Sequence, residues 1–454
     1  MKNLQNTGSD RLLDELAARF TENSGIPQEY FEKYRIKRGL RNADNTGVMA
    51  GITRICSVEG YYIDDGEKVP KEGHLRYRGL DLYDFVDGCK RDERFGFEEI
   101  AYLLLFGALP NKAQLDEFQA LLAENRELPY DFIEDVIMRA PSPNIMNKMG
   151  SSVTALYAYD PNPDDITVKN VLRQSIRLIA MLPSVMAYAY QVKRRYFYKK
   201  SMYIHTVKPE LCTAENVLRA IRSDKTFTDR EAKLLDLCLM LHADHGGGNN
   251  STFTTRCVTS TGTDTYSAIA AGIGSLKGFR HGGANIKVSE MVNDIFDHVS
   301  DISDEDAVKE YLRKTVRREA GDGSGLIYGM GHAVYTLSDP RAVILKRNAK
   351  ELAEEKGLSD EWKLLDVIER TAPAVFAEEK GSSKSICANV DLYSGLVYRT
   401  LGIPEDLYTP MFACARVAGW CAHRLEEIST VGRIMRPAYK SLSKEKKYVD
   451  LNDR

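Results

Sequence analysis

The stretch FEEIAYLLLFGALPNKAQLDEFQALL, residues 97–122, decides the fold class of this 454-residue chain. Its apolar residues recur every three to four positions on both sides of a break at 107–110, which predicts two helices. Thr228 and Glu231 form a capping box that predicts the start of another helix. The same periodicity predicts further helices over 10–20, 265–278, 304–318, 360–379, 391–401 and 407–427. We therefore expect a mainly α-helical protein.

Signals for β-strands are confined to one place near the N-terminus. Residues 52–63 and 75–77 are rich in strand-forming side chains and are separated by a turn, which predicts a β-hairpin. Strands do not alternate with helices anywhere, so a parallel α/β sheet is not expected. Polar breaks that contain glycine, at 282–287 and 380–388, predict the borders of an inserted segment.

The composition excludes several classes of protein. The 62 Lys and Arg residues nearly balance 65 Asp and Glu, for a net charge of -3, so we expect neither a nucleic-acid nor an anionic-membrane surface. An anionic ligand must instead be bound by a few local arginines. The most apolar stretch, 178–190, is shorter than the roughly 20 residues that span a bilayer. With no signal-peptide core and no CxxC pair among eight cysteines, we expect a cytoplasmic protein with reduced thiols.

Two histidines lie three positions apart in HADHGGGNN, residues 242–250. His242, Asp244 and His245 permit a zinc-hydrolase interpretation, although HExxH sites place their histidines four positions apart and no third ligand is near. The glycines favour instead a backbone that lies close to a ligand. Metal binding, hydrogen bonding to a ligand and a structural role all stay open on these residues alone.

Two further histidines lie in glycine-rich segments. His281 lies within KGFRHGGAN, residues 277–285, where it either faces a ligand or forms part of a helix C-cap. His332 lies within GMGHAVY, residues 329–335, and Arg341 follows nine positions later. The preceding segment is a charged helical pattern and not a strand, so these glycines do not predict a dinucleotide-binding loop.

One acidic and two basic residues complete the candidate set. Asp391 begins a predicted helix, a position at which aspartate is commonly an N-cap. Arg416 lies inside the apolar run 411–423, where a guanidinium group is unfavourable unless it meets an anion, either internal or a ligand. Arg436 follows in the sequence RIMRP.

Taken in this order, the motifs resemble the citrate synthase family, and LRYRG at 75–79 and EIAYLLLFG at 99–107 add to the resemblance. It covers about residues 47–440. The resemblance implies a multi-helical, two-domain citrate synthase fold with a short β-hairpin, assembled as a homodimer. It implies an N-terminal extension at 1–45, a large domain at 46–286 and 398–440, a small inserted domain at 287–397 and a tail at 441–454.

The family condenses acetyl-CoA with oxaloacetate and hydrolyses the product thioester to citrate and CoA, without a metal or other cofactor. By position, the resemblance implies that Asp391 removes a proton from the acetyl methyl group. It implies that His281 stabilises the resulting enol and that His332 polarises the oxaloacetate carbonyl. A base acting together with an oxyanion donor fits this chemistry, because the carbanion is far more basic than a carboxylate.

The resemblance also implies the residues that bind the substrates. For oxaloacetate these are His245, Arg341 and Arg416, together with Arg436, which reaches the site of the partner subunit. For CoA they are Gly329, Gly331 and Asn389. Because these residues fall in both domains, we expect the site to be assembled by domain closure, with oxaloacetate bound first.

The chain departs from the family where many members have a basic residue for the CoA phosphates. Residues 336–338, Thr-Leu-Ser, occupy that position, so other cations must meet the phosphates, with Lys277, Arg280 and Lys346 as candidates.

Two alternatives to citrate synthase remain. A 2-methylcitrate synthase, which accepts propionyl-CoA, has the same motifs, and one methylene in an apolar pocket is worth only ~1–3 kcal/mol. A non-catalytic helical binding protein on the same fold is the alternative of another class. It is disfavoured because His281, His332 and Asp391 occur together.

Overall fold

The computed structural model describes residues 8–42, 44, 46–381, 386–430 and 432–454. Helices dominate this part of the chain, which confirms the prediction of a mainly α fold. They are α1 (Gly8–Ser24), α2 (Glu29–Lys33), α3 (Leu82–Arg91), α4 (Phe97–Phe106), α5 (Lys112–Glu124), α6 (Ile145–Leu156), α7 (Val168–Tyr196), α8 (Thr213–Ile221), α9 (Asp229–His242), α10 (Asn250–Thr259), α11 (Thr265–Lys277), α12 (Ala284–His298), α13 (Glu305–Val316), α14 (Pro340–Glu355), α15 (Ser359–Lys380), α16 (Val390–Thr400) and α17 (Tyr408–Ser429). Short helical turns lie at Arg38–Leu40, Ile133–Met138, Tyr157–Tyr159, Glu405–Leu407 and Leu451–Asp453.

The contacts divide the chain into two units, Met1–Gly51 and Ile52–Arg454. The smaller unit holds α1 and α2. The predicted opening helix is present as α1, and its apolar side chains Leu12, Leu13, Leu16 and Phe20 are exposed. The larger unit holds every other helix of the described residues, the sheet and all the candidate site residues.

The predicted hairpin is confirmed, and its first strand begins at Cys56. Strands β1 (Cys56–Asp64), β2 (Glu67–Tyr77) and β3 (Leu80–Asp81) form one antiparallel sheet in the order β1-β2-β3. Asp65 and Gly66 connect β1 to β2 with φ of 46° and 84°. Two successive residues with positive φ are typical of the tight turns that follow the right-handed twist of a hairpin.

The two helices of the deciding stretch are α4 and α5. The first ends at Gly107, whose φ of +85° is the left-handed conformation that favours glycine. The second begins with a capping box between Asn111 and Gln114. The predicted break is therefore made by a glycine that ends one helix and an asparagine that begins the next.

Helix α17 lies at the centre of the larger unit and contacts α4, α6, α7, α9, α10, α11 and α12. Its residues from Tyr408 to Leu425 are buried, as expected for a helix that is apolar on all sides. It packs along α7, a helix of 29 residues with Pro183 inside. None of the described helices combines the length and the apolar composition needed to cross a bilayer. All eight cysteines are free thiols.

Candidate active site

Three helix ends bring the predicted residues together. His245 follows the last residue of α9 by three positions, Arg341 is the second residue of α14 and Asp391 the second of α16. Burial lowers the pKa of His245 well below its usual value, and the neighbouring charges of Arg341 and Arg416 lower it further. His245 is therefore a neutral ring, and this neutral ring lies among cationic donors.

The ring of His332 lies against this group. Its centroid is 5.1 Å from that of His245 and 4.6 Å from that of Tyr335, whose hydroxyl lies 3.3 Å from Nε2 of His245. The backbone N–H groups of Val334 and Tyr335 donate to Nδ1 of His332 at 3.0 and 3.1 Å. A backbone amide can only donate, so Nδ1 carries no proton and the neutral ring is protonated on Nε2.

His281 has the opposite tautomer for the same reason. The backbone N–H of Ser251 donates to its Nε2 at 3.3 Å, and the Ser251 hydroxyl lies 3.1 Å from the same nitrogen. The indole N–H of Trp420 donates to that hydroxyl at 3.1 Å. Burial and the charge of Arg416 lower the pKa of His281 to about 4. At neutral pH the ring is therefore uncharged and donates through Nδ1.

Arg416 is fully buried in the middle of α17. Its Nε donates to the backbone oxygen of His242 at 2.6 Å. Its Nη1 and Nη2 atoms are buried, and no residue in the described part of the chain accepts a hydrogen bond from them. The internal hydrogen bond therefore satisfies only one edge of the guanidinium group. Nη1 and Nη2, which we call the fork of Arg416, have the geometry that binds a carboxylate.

Asp339 holds Arg341 in place and joins two helices. One carboxylate oxygen accepts from N and Nε of Arg341, both at 3.0 Å, and the other accepts from Nη2 at 2.7 Å. The second oxygen also accepts from the backbone N–H of Val390 at 3.2 Å. The first turns of α14 and α16 are thus tied to a single carboxylate, which fixes their relative position.

The expectation that an aspartate at the start of a helix is an N-cap is wrong for Asp391. Asn389 is the N-cap of α16, and its side chain accepts from the backbone N–H of Asp391 at 3.0 Å. Burial raises the pKa of Asp391 to about 6, with Arg341 opposing and Asp339 reinforcing the shift. The carboxylate is therefore a stronger base than an exposed aspartate and is still ionised at neutral pH.

The three residues predicted to contact CoA lie on two paired segments. The N–H of Asn389 donates to the oxygen of Gly329 at 2.8 Å, and its side chain donates to the oxygen of Gly331 at 2.9 Å. Both glycines have positive φ, +79° and +89°, and a Cβ on Gly329 would lie 2.9 Å from the Cα of Leu392. The loop that holds these two glycines can therefore lie directly against the start of α16 only because Gly329 has no side chain.

The hairpin lies directly against the loop that carries His332. A Cβ on Gly60 would lie 2.7 Å from the Cα of Tyr335, and one on Gly73 would lie 2.1 Å from the backbone oxygen of Ser338. The hydroxyl of Thr336 donates to the oxygen of Gly60 at 3.0 Å. The N–H of Gly73 donates to the hydroxyl of Ser338 at 3.1 Å. Two glycines thus allow the close approach that holds this loop.

A buried polar chain behind the site was not predicted from the sequence. Nε2 of His423 contacts Asp244 at 3.1 Å, and Arg256 donates to Nδ1 of His423 at 2.9 Å and to Glu426 at 2.8 Å. A guanidinium only donates, so His423 is protonated on Nε2 and donates to Asp244. Although burial alone would raise the pKa of Asp244, His423 and Arg416 lower it to about 2. The only sequence signal was a histidine in an otherwise apolar helix.

The zinc-hydrolase interpretation finds no support in this arrangement. Asp244 is bonded to His423, and the ring of His242 lies 4.3 Å from that of Phe412. Both nitrogens of His242 are buried and have no hydrogen-bond partner among the residues that the structure describes. Within the described ranges, no group of three or more His, Cys, Asp or Glu side chains is placed to hold a metal ion.

Four predicted residues are either exposed or already paired with carboxylates. Arg436 is exposed, on a segment from 432 to 450 that forms neither helix nor strand. Lys277 and Arg280 are exposed beside His281. Lys346 is paired with two carboxylates of α15, so its charge is already compensated.

The sequence matches the family described as "Citrate synthase, C-terminal domain" over residues 42–438. It is 33% identical over 394 residues to a citrate synthase of Synechocystis, covering 86% of this chain and 88% of the relative. It is 35% identical over 410 residues to one of Haloferax volcanii, covering 88% and 94%. The fold is similar to that of Thermoplasma acidophilum citrate synthase, solved in ternary complex with carboxymethyl coenzyme A and oxaloacetate. The TM-score is 0.75 and the sequence identity 26%, and the match covers 92% of this chain and 99% of that one.

Proposed function

Because the chain belongs to the citrate synthase family, we propose that this cluster condenses acetyl-CoA with oxaloacetate and hydrolyses the citryl-CoA formed. The chain is accordingly an acyltransferase. One observation carries the assignment to this cluster: the fork of Arg416 is buried, charged and free, beside a second buried arginine and neutral histidines. A small dianion supplies the carboxylates that such a pocket lacks.

Oxaloacetate is held by its two carboxylates. Arg416 offers Nη1 and Nη2 to one of them. Arg341 offers Nη1, since its Nε and Nη2 are bonded to Asp339, and His245 adds a neutral ring. We also propose a homodimer in which the partner subunit's Arg436 completes the carboxylate site. The exposure of Arg436 in its own chain is consistent with that arrangement.

His332 prepares the ketone for attack. Its Nε2 carries the proton, because two backbone amides occupy Nδ1. A hydrogen bond from Nε2–H to the keto oxygen of oxaloacetate draws electron density from the carbonyl carbon. When the new carbon–carbon bond forms, the same proton can pass to the alkoxide oxygen.

Asp391 and His281 make the nucleophile. The Asp391 carboxylate, with its pKa raised to about 6, takes a proton from the acetyl methyl group. The electron pair moves onto the thioester oxygen, where Nδ1–H of His281 donates a hydrogen bond. Because the pKa of His281 is lowered to about 4, it stabilises the enolate without protonating it outright. A donor of this kind is typically worth about 3–4 kcal/mol of barrier.

The enolate carbon then attacks the keto carbon of oxaloacetate to give citryl-CoA. Water adds to the thioester carbonyl, the carbon–sulfur bond breaks, and citrate and CoA leave. Gly329, Gly331 and Asn389, which lie on two paired segments beside Asp391, are the residues proposed to contact CoA. The division of the larger unit into a large domain and the inserted segment 287–397 stays a prediction, as does its closure over oxaloacetate.

The eight free thiols support a further proposal, that the protein works in a reducing cytoplasmic compartment.

The test of the proposed function is CoA release, measured with a thiol reagent in the presence and absence of oxaloacetate. With acetyl-CoA we expect release that depends strictly on oxaloacetate, and citrate as the product. A parallel series with propionyl-CoA separates 2-methylcitrate synthase, which requires the higher kcat/KM with the propionyl substrate. No release with either thioester would contradict the proposal and leave a non-catalytic binding protein.

The pKa of Asp391 predicts the acid limb of the pH profile. Below pH 6 the base becomes protonated, so kcat/KM for acetyl-CoA should fall about tenfold per pH unit. His281, with a pKa of about 4, stays neutral from pH 5 to 8 and adds no second inflection there. Steady-state rates in constant-ionic-strength buffers between pH 5 and 8 measure this limb. A rate that is flat across that range would contradict the assignment of the base.

A further inference from the structure

Two buried arginines belong to the candidate site, and only one of them is paired inside the protein. Arg341 has its own carboxylate, since Asp339 accepts from its Nε and Nη2 at 3.0 and 2.7 Å. The fork of Arg416 forms no hydrogen bond with any residue that the structure describes, although the carboxylate of Asp244 is among its charged neighbours. Opposite charges attract strongly in a buried site, so another contact must keep Asp244 from the fork.

Asp244 lies beside the face of α17 that carries Arg416. Nε of Arg416 donates to the backbone oxygen of His242, two positions before Asp244. Oδ1 of Asp244 lies against Gly419, where a Cβ would be only 2.5 Å away, and residues three positions apart on a helix share a face. Burial lowers the pKa of Arg416, and Asp244 opposes this lowering more than any other charged neighbour. The Asp244 carboxylate is therefore the internal anion that competes most directly for the fork.

His423 holds this carboxylate in its present orientation. Its Nε2–H donates to Oδ2 of Asp244 at 3.1 Å, and the backbone N–H of Gly246 donates to the same oxygen at 3.1 Å. Oδ1 is buried and accepts from no residue in the described part of the chain. The carboxylate thus keeps one free oxygen, and the two hydrogen bonds to Oδ2 fix the direction in which that oxygen points.

Arg256 sets the tautomer of His423 that makes this bond possible. Its Nη1 donates to Nδ1 of His423 at 2.9 Å, so the ring proton lies on Nε2, toward Asp244. Arg256 is itself paired with Glu426 and Glu427 at 2.8 and 3.1 Å. The polar chain that begins at these two glutamates therefore ends in a donor that faces Asp244.

We propose that His423 is a positioning residue that keeps Asp244 away from Arg416, so that the fork stays open for a carboxylate of the substrate. Without the Nε2–H bond, Asp244 turns its free oxygen to the guanidinium group and forms an internal ion pair like that of Arg341. Oxaloacetate then has to displace an anion that is part of the chain. The inference rests on the proposed function, in which Arg416 binds oxaloacetate, and adds to it a residue that acts through another.

The first test removes the donor in the full-length protein in its native assembly. In H423L we expect KM for oxaloacetate to rise roughly 10- to 100-fold, the effect of one charge-assisted hydrogen-bonded pair that the substrate must replace. At saturating oxaloacetate, kcat should stay near the wild-type value, because the competing carboxylate has then been displaced. H423Q keeps an N–H that can reach Asp244 and an oxygen that can accept from Arg256, so its KM should stay close to that of the wild type.

The second test removes the competing charge. In H423L/D244N the KM for oxaloacetate should return toward the wild-type value, because a neutral amide cannot form an ion pair with Arg416. A residue that merely supports the fold would give the opposite result, since a second change in the same buried chain would then add to the damage.

R424M is the matched control for loss of a buried polar side chain on α17. Arg424 follows His423 directly, and its donors are bonded to Thr259, Thr263 and Thr265. This variant should lower Tm and leave KM for oxaloacetate unchanged. Calorimetric titration with oxaloacetate alone, without acetyl-CoA, should give the same order of affinities as KM in all the variants.

An unchanged KM in H423L overturns the inference, as does a raised KM that D244N fails to restore. If H423L does not fold, D244N alone decides. Its amide oxygen can accept both bonds that Oδ2 accepts, so KM should be no higher than in the wild type. A rise of about tenfold would mean that the site needs the charge of Asp244, and would overturn the inference.

The proposed function can fail separately from this inference. If the wild-type protein binds oxaloacetate and releases no CoA, the proposed function has failed, and the calorimetric affinities still decide the role of His423. A wild-type protein that does not bind oxaloacetate overturns both.

Discussion

Replacing Asp391 by Asn is expected to lower kcat for oxaloacetate-dependent CoA release roughly 10²- to 10⁴-fold, the usual contribution of a positioned general base. KM for oxaloacetate should change little, because the arginines and histidines that bind it are untouched. An amide cannot accept the methyl proton, whereas it keeps the size of the carboxylate. The rate is measured with acetyl-CoA at saturating oxaloacetate.

Stability separates a catalytic defect from a folding defect in this variant. The pKa of Asp391 in the folded protein is about 6, above the ordinary value of an aspartate. Above pH 6 the buried carboxylate is ionised, and its charge lowers the free energy of unfolding. The neutral amide removes this unfavourable term, so the variant should be at least as stable as the wild type at pH 8. The difference should shrink as the pH falls through 6, where the wild-type carboxyl group is protonated. A variant that keeps wild-type kcat would remove Asp391 from the mechanism.

Replacing Arg416 by Met is expected to raise KM for oxaloacetate by roughly 10²-fold or more, as charge-assisted hydrogen bonds from two buried donors are lost. The unliganded protein should lose little stability, because Arg416 makes one hydrogen bond, from Nε to the backbone oxygen of His242, while Nη1 and Nη2 have no partner among the described residues. Burial of the unpaired charge is itself unfavourable, which offsets the loss of that bond. Oxaloacetate should raise Tm in the wild type and fail to do so in the variant, since stabilisation by a ligand depends on its affinity.

Arg424 offers a matched control on the same helix. It is equally buried, but its donors are satisfied by the hydroxyls of Thr259 and Thr265 and by the backbone oxygen of Thr263. R424M should therefore lower Tm and leave KM for oxaloacetate unchanged. If R416M destabilises the unliganded protein as R424M does, with no effect on KM, Arg416 is a structural residue.

The helices and the hairpin could be predicted because their signals are local. Periodic apolar residues, the capping box at Thr228 and the break at Gly107 depend on neighbours a few positions away. The same holds for glycines next to a histidine, which brought attention to His281 and His332. These signals predict that an element exists and which residue types it presents.

The contacts that set the chemistry of those residues are long-range and could not be predicted. The proton of His281 is placed by the backbone of Ser251, 30 positions away, and Asp339, which holds Arg341, accepts from the backbone N–H of Val390, 51 positions away. His423 reaches Asp244 across 179 positions. Backbone amides and single aspartates have no sequence motif, so only the folded chain shows which of them face a functional side chain.

The close approach of Gly60 and Gly73 to the loop that carries His332 bears on protein engineering. Loops are often exchanged between relatives to change the preference for an acyl group, and the segment from His332 to Ser338 is an obvious candidate for such a graft. In this protein the backbone of that segment packs directly against two strands that lie more than 250 positions earlier in the chain. A transplanted loop of different backbone path would collide with them, so hairpin and loop have to be exchanged as one cassette.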